Sequence, residues 1–375
     1  MTGAGEAPVR IALVGLGWAA TSIWLPRLRR HPGYTVTAVV DPAPGAAEVL
    51  REEGTDALLL PDIGQLPREL VDLAVVAVPN HLHATVAAGL LDRGIPVFLE
   101  KPVCLSSAEG RRLAAAERAG GAVLLAGSAA RYRADVTALR GTVEKLGAIR
   151  HVDLEWTRAR GVPDAGGWFT RSSLAGGGAL LDLGWHLLDT LTSLVGPTRF
   201  DQVVGTVSGD FVNAGSARAA WRDDEPAGDT AAGDVEDTAR GFLVTDEGVS
   251  VALRASWASH AATDVTRIRV EGSDGTASLE CTFGFSPNRV AVPTVTHTRD
   301  GITTEVPVRT EEIGAEYVRQ LDALPGLLAD PAMRGRAADD AARTVGVVER
   351  IYGSAREARA HRPVQAFDPT PERQS

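Results

Sequence analysis

The sequence predicts two lobes: a doubly wound α/β domain with a parallel sheet over residues 9–129, then an α+β domain over 130–363 carried by a mostly antiparallel sheet, with tails at 1–8 and 364–375. Three observations predict it. Up to about Gly127 short apolar runs alternate with helix-like stretches, the pattern of βαβ units. Beyond Lys145 apolar residues recur at alternate positions, as in strands with one buried face. At 375 residues, the chain is also longer than one hydrophobic core usually serves.

In the first region Arg10–Val14, Val36–Val40, Leu73–Val78, Val97–Leu99 and Val123–Ala126 read as strands. Between them Thr21–Arg30, His83–Arg93 and Ala108–Ala119 read as helices, with Gly94-Ile95-Pro96 and Gly120-Gly121 as stops. Pro26 inside the first helix lacks an N–H, so it kinks that helix or marks its first turn. A helix near Ala134–Glu144 leads into the strands Ile149–Trp156, Phe200–Val207, Ala239–Thr245, Val251–Ser256, Thr266–Glu271 and Thr276–Glu280. One helix, Gly177–Leu194, interrupts them and is ended by Gly196-Pro197. Ala214–Asp234, rich in Ala, Gly, Asp and Glu, reads as a solvated insertion. Two amphipathic helices near Ile313–Leu328 and Ala337–Ala358 close the domain.

A net charge of -10 argues against nucleic acid or an anionic membrane as partner, because both demand a basic face. A small-molecule ligand is the better expectation. Met1–Pro8 has no basic and apolar leader pattern, and no run approaches the roughly 20 apolar residues of a spanning helix, so a cytoplasmic protein is expected. Cys104 and Cys281 belong to no Cys-x-x-Cys pair and read as buried thiols. No histidine cluster has metal-ligand spacing, so no metal is expected.

Gly15-Leu16-Gly17-Trp18-Ala19-Ala20 follows the first strand with the G-x-G-x-x-A spacing of a loop that lays a pyrophosphate on a helix N-terminus. Gly15 permits the turn, Gly17 lets phosphate approach the backbone, and Ala20 packs helix on strand. Asp41 ends the second strand, where a carboxylate can accept from ribose hydroxyls. No Arg or Lys follows in Pro42-Ala43-Pro44-Gly45 to pair with a 2′-phosphate, so NAD is favoured over NADP. Bulky Trp18 narrows the space beside the cofactor.

The basic residues are nearly all arginine; lysine occurs only at Lys101 and Lys145. Lys145 reads as a solvated residue at a helix end. Lys101, in Glu100-Lys101-Pro102, sits at the C-terminal end of a central strand, the edge where ligands of doubly wound folds bind. An ammonium that donates to a reacting oxygen is not replaceable by guanidinium. Farther on, Asp182 and His186 are four residues apart and share a face if the segment is helical. An imidazole held by a carboxylate can pass a proton near neutral pH.

Four motifs in order, Gly15–Ala20, Val78-Pro79-Asn80-His81-Leu82-His83, Glu100-Lys101-Pro102, and Gly177–Asp189 with its G-G-x-x-x-D-x-G-x-H-x-x-D spacing, resemble the Gfo/Idh/MocA family (glucose-fructose oxidoreductase, inositol dehydrogenase, rhizopine catabolism). Ile351–Arg356 resembles its closing helix, so the likeness spans nearly the whole chain. The resemblance implies a Rossmann domain, a C-terminal domain on a large open-faced sheet, a cleft between them, and a homodimer or homotetramer paired through that sheet. It also implies catalytic roles for Lys101, Asp182 and His186. Gly15, Leu16, Gly17, Trp18, Ala19, Ala20, Asp41, Val78, Pro79, Asn80, His83, Glu100 and Lys101 are the expected cofactor side. Trp168 and Arg158, with Asp182 and His186, are the expected substrate side.

These residues predict an NAD-dependent oxidoreductase in which His186 exchanges the hydroxyl proton, Asp182 orients the ring or relays the proton, and Lys101 donates to the oxygen. The implied substrate is a secondary alcohol or ketone of a sugar, aminosugar, nucleotide sugar or cyclitol, with antibiotic-sugar biosynthesis as one setting. Alternatives are an imine reductase or dihydrodiol dehydrogenase on the same scaffold, and a non-catalytic nucleotide-sensing regulator. His83 caps or packs as readily as it touches cofactor, and His81 reads as a surface residue. Trp168-Phe169 fits pocket or core. Arg131 and Arg158 meet a sugar hydroxyl, a phosphate or an acid on a neighbouring element.

Overall fold

Strand β1 (Val9–Val14) is apolar on both sides because it runs through the middle of a parallel sheet with helices on each face. The computed structural model describes residues 7–163, 167–219 and 232–360. Within it β1 joins β2 (Tyr34–Val40), β3 (Leu58–Leu60), β4 (Leu73–Val76), β5 (Val97–Leu99) and β6 (Leu124–Ala126) in the order β3-β2-β1-β4-β5-β6. Every pairing in this sheet is parallel. The order reverses at β1, which opens the crevice at the strand C-termini that doubly wound folds use for ligands.

Helices α1 (Leu25–Arg30), α2 (Ala46–Glu52), α3 (His83–Asp92) and α4 (Ser107–Gly120) belong to these crossovers. The helix expected over Thr21–Arg30 is divided: Ala19–Trp24 winds as a wide π turn and α1 follows, with Pro26 in its first turn, where a missing N–H costs nothing. Gly121, at φ 65°, ends α4.

The second sheet combines β7 (Ile149–Thr157), β8 (Phe200–Ser208), β9 (Thr238–Thr245), β10 (Ser250–Ser256), β11 (Val265–Gly272), β12 (Gly275–Cys281), β13 (Thr294–Arg299) and β14 (Ile302–Val306). Their order is β14-β13-β12-β11-β7-β10-β9-β8, antiparallel except for β7 beside β10. Alternation is strict in the centre: Val152, Leu154 and Trp156 of β7 and Ile268 and Val270 of β11 are buried, whereas Arg267 and Arg269 face out. Helices α5 (Ala134–Val143), α6 (Ser172–Ala175) and α7 (Trp185–Val195) precede β8, and α8 (Ala315–Ala329) and α9 (Arg336–Ala360) end the described chain.

The lobes share packing. Leu321 and Leu324 of α8 are buried in a cluster with Ile11, Leu13, Trp24, Leu25 and Phe98, and Tyr34 donates its hydroxyl hydrogen to the Leu321 carbonyl at 2.5 Å. Both cysteines are buried free thiols, and Lys145 is exposed just past α5. Among the described residues no helix is long and apolar enough to cross a membrane. Of the Ala214–Asp234 insertion, residues 220–231 lie outside the described part, as do the tails at 1–6 and 361–375.

Candidate active site

The C-terminal ends of β1, β4, β5 and β6 meet the second sheet at a cleft of about 230 Å³. From the first lobe it is lined by Gly17, Trp18, Ala19, Val78, Pro79, Asn80, His83, Glu100 and Lys101. The second lobe supplies Trp156, Arg158, Trp168, Phe169, Asp182, His186 and Phe285. Gly15, Leu16, Ala20 and Asp41 stand outside this lining, in the loop and strand end behind it.

The glycine loop leaves its backbone open to the cleft. Gly15 takes φ +90°, and a Cβ there would lie 2.8 Å from the Ala77 carbonyl oxygen, so only glycine fits. A Cβ on Gly17 would meet nothing within 4 Å, leaving open space above the loop, while Ala20 is fully buried against the strand. Asp41 is held at the end of β2 by the N–H groups of Leu16 at 2.7 Å and Ala43 at 2.8 Å. Each of its oxygens keeps lone pairs for a ribose hydroxyl. Across the loop, Trp18 meets Phe285 edge-on at 5.6 Å, and Phe285 stacks on Tyr317 at 5.7 Å, so aromatic rings from both lobes wall the cleft beside the loop. Gln320 of α8 gives the cleft another polar atom: its Nε2 donates to the Ala126 carbonyl, while its buried Oε1 has no partner among the described residues. An open glycine cradle, a ribose-height carboxylate and an unspent buried acceptor together fit a dinucleotide.

Lys101 leaves β5 into this space and its Nζ lies 2.6 Å from Asp182 Oδ1. Asp182 Oδ2 accepts from Trp257 Nε1 at 2.8 Å, and Trp257 is fully buried. Burial alone would raise the Asp182 pKa, but Lys101 and Arg158 outweigh it and hold the carboxyl well below its usual range. Here the structure corrects the expected dyad. Among the described residues no hydrogen bond joins Asp182 to the His186 ring; its two oxygens accept instead from an ammonium and an indole N–H. His186 instead packs its ring on Trp156 at 5.6 Å, where burial and then Lys101 push its pKa down to about 3. It is a neutral imidazole at pH 7.

Arg158, 8% exposed, stacks its guanidinium over Trp156 at 5.0 Å and donates to the Gly161 carbonyl. Trp168 packs on Phe169, whose ring lies 6.0 Å from Lys101 Nζ. Glu100 accepts from Trp24 Nε1 at 2.7 Å and from the Lys101 N–H at 2.9 Å. Burial raises its pKa against the pull of Lys101. Asn80 donates to the Ala175 carbonyl at 3.0 Å and ties the lobes together.

His83 sits between two carbonyls, Pro102 at 2.7 Å from Nδ1 and Val78 at 2.8 Å from Nε2. Burial pushes its pKa down to about 4, so the neutral ring donates one hydrogen bond and closely approaches the other oxygen. It thereby braces the Lys101 loop against the Val78-Pro79 loop. His81, read from sequence as a surface residue, is half-buried with Nδ1 enclosed. Arg131 stands outside the cleft, in an ion pair with Asp189 at 2.5 Å, so its acid partner is on a neighbouring element.

Sequence reasoning missed the groups that hold the Asp182 helix. Glu236 accepts from the N–H groups of Gly178 at 3.0 Å and Leu180 at 2.9 Å and from the Tyr352 hydroxyl at 2.9 Å. A Cβ on Gly178 would fall 1.8 Å from the Glu236 carbonyl oxygen and one on Gly177 would fall 2.1 Å from the Tyr352 hydroxyl. The Gly176-Gly177-Gly178 run was the available signal that something approaches closely, but not what.

Residues 9–128 match a family described as an oxidoreductase family with an NAD-binding Rossmann fold, and residues 139–278 match the Gfo/Idh/MocA C-terminal domain. The chain is 59% identical, over 96% of its length and 99% of the relative's, to a putative UDP-kanosamine synthase oxidoreductase subunit of Amycolatopsis mediterranei (strain S699). The aldose-aldose oxidoreductase of Caulobacter crescentus, solved with glycerol, superposes with a TM-score of 0.74 at 23% identity, covering 94% of this chain and 98% of the other. GenD2 from gentamicin A biosynthesis, solved with NAD, gives 0.71 at 24%, covering 96% and 98%.

Proposed function

The chain belongs to the Gfo/Idh/MocA oxidoreductase family, and from that premise we propose that it moves a hydride between nicotinamide and a secondary alcohol or ketone of a sugar. The substrate we favour is a nucleotide-linked hexose on the way to an amino sugar. Support for the oxidoreductase chemistry comes above all from one observation: Lys101, Asp182 and His186 line a single cleft together with the end of the glycine loop. The 59% identity to a protein named for UDP-kanosamine synthesis supports the substrate class.

The nicotinamide dinucleotide supplies the hydride chemistry when bound. Gly15, Leu16, Gly17, Trp18, Ala19 and Ala20 would cradle it, Asp41 would accept from its ribose, and Val78, Pro79, Asn80 and Glu100 would wall it, with His83 as brace. Asp41, followed by no Arg or Lys in Pro42–Gly45, favours NAD: NADH is expected to bind at least tenfold more tightly than NADPH in a fluorescence titration, and equal affinity refutes the ribose role.

His186, neutral at pH 7, accepts the substrate hydroxyl proton on a ring nitrogen. The Lys101 ammonium donates a hydrogen bond to the same oxygen and stabilises negative charge as it develops there. Asp182 serves the lysine rather than the histidine, fixing the ammonium in place at 2.6 Å. Trp168 and Arg158 shape the substrate side. Lys101→Met or His186→Asn is expected to lower kcat roughly a hundredfold or more while NADH still binds. Near-wild-type turnover by both variants overturns the assignment.

The open face of the second sheet supports the expected homo-oligomer. It carries both signs, with Arg254 at 3.2 Å and Arg267 at 3.6 Å from Glu155, and exposes Phe242 and Val204. Such a mixed face can complement itself about a two-fold axis.

A further inference from the structure

A second concavity of about 900 Å³ lies beside the cleft, and nothing in the proposed hydride chemistry uses it. It is lined by Arg160, Arg218, His260, Phe211 and Asn288 among small residues, and among the described residues no carboxylate is in its lining. In a chain of net charge -10 that is a local reversal of sign. Arg160 and Arg218 are both exposed, and among the described residues neither forms an ion pair.

The groove and the cleft share two loops. Arg158 and Pro163 line the cleft while Ala159 and Arg160 line the groove, and Gly284 and Phe285 line the cleft while Ser286, Pro287 and Asn288 line the groove. Arg218 reaches the same edge because its backbone pairs with Val162, and Arg160 pairs with Ala258. Two residues of chain span at most about 7 Å, so the Arg160 backbone lies no farther than that from the Arg158 backbone.

The walls are fixed in place. Fully buried Asp264 accepts from the Ala159 N–H at 2.7 Å, the Asp264 N–H donates to the Asn288 carbonyl at 3.0 Å, and Ser259 donates its hydroxyl hydrogen to the Arg158 carbonyl at 2.9 Å. Phe211 presents a half-buried ring, held edge-on to His260 at 5.4 Å.

We propose that this groove binds the nucleoside diphosphate of a nucleotide-linked sugar whose hexose occupies the cleft. The proposal rests on the sugar-oxidoreductase reading above and deepens it. Arg160 and Arg218 meet the diphosphate, for which paired guanidinium groups are suited by their fixed donor forks. Phe211 offers a face to the base, a contact that tolerates different bases. Specificity for a nucleotide-linked over a free sugar then resides outside the reacting centre.

The test is calorimetric titration of uridine diphosphate into the NADH-loaded protein, with inorganic pyrophosphate and uridine as separate probes. Wild type is expected to bind uridine diphosphate, more weakly as salt rises. The double variant Arg160→Ala/Arg218→Ala is expected to weaken it at least tenfold with NADH affinity and Tm unchanged. Phe211→Ala is expected to weaken uridine diphosphate but not pyrophosphate. Uridine diphosphate binding that both variants leave intact overturns the groove while the nucleotide-linked substrate stands. If wild type ignores uridine diphosphate yet oxidises free hexoses or glucosides, the substrate reading fails first and the groove with it.

Discussion

Asp182 shows what residue types alone can and cannot reveal. That an ammonium, a carboxylate and an imidazole share one cleft was legible from Lys101, Asp182 and His186, because few other residues carry that chemistry beside a strand end or helix. Their partnership was not. Four-residue spacing suggested a carboxylate serving the ring, whereas Lys101 and Trp257 claim both oxygens from 81 and 75 residues away in sequence. Trp257→Phe leaves Asp182 Oδ2 buried without a donor and is expected to cost about 1–3 kcal/mol in urea unfolding. An unchanged unfolding curve would mean that the indole contributes nothing. His186 adds a pH signature. Its folded pKa lies near 3 and its ordinary value is 6.5, so between those limits the unfolded chain takes up a proton that the folded protein refuses. Stability therefore falls as pH falls through this window, by about 1.4 kcal/mol per pH unit from this group. His186→Asn should lose stability less steeply on acidification from pH 6.5 to 4, and parallel curves for variant and wild type would contradict the buried neutral ring.

At the scale of elements, the helix that carries Asp182 begins as a π turn, Leu180–Gly184, and becomes α-helical at Trp185. Its start is fixed by the carboxylate of Glu236, which the hydroxyl of Tyr352 in α9 holds in turn. Gly178→Ala would drive a Cβ into the Glu236 backbone, so a loss of more than about 2 kcal/mol is expected, read as a lower Tm. A variant as stable as wild type would show that the chain can part there at no cost. Periodicity found the long, strongly patterned elements, β1, α4, β7, β10, β11 and α9, because each buries a regular stripe. It missed β3 and α2, which are short and weakly patterned, and the β13–β14 hairpin, whose threonine-rich strands lie at a sheet edge where little apolar burial marks them. A signal was available for that hairpin: Asp300-Gly301 forms the two-residue turn with both residues at positive φ.

For the whole molecule, two lobes and a cleft were legible because βαβ and alternating patterns differ in period. The parallel pairing of β7 with β10 inside an otherwise antiparallel sheet was not, since a buried stripe looks the same whichever way its neighbour runs. Phe242→Asp on the open face is expected to reduce the molar mass seen by light scattering to that of one chain, and an unchanged mass would place the interface elsewhere. The packing of α8 has a consequence for how the protein comes into being. Ile11, Leu13 and Trp24 leave the ribosome early, but Leu321 and Leu324, which complete their cluster, are translated roughly 300 residues later. At about 5–20 residues per second that interval is on the order of 15–60 s. During it the nascent N-terminal half carries a bare apolar flank, a ready target for a holding chaperone until the final helices emerge.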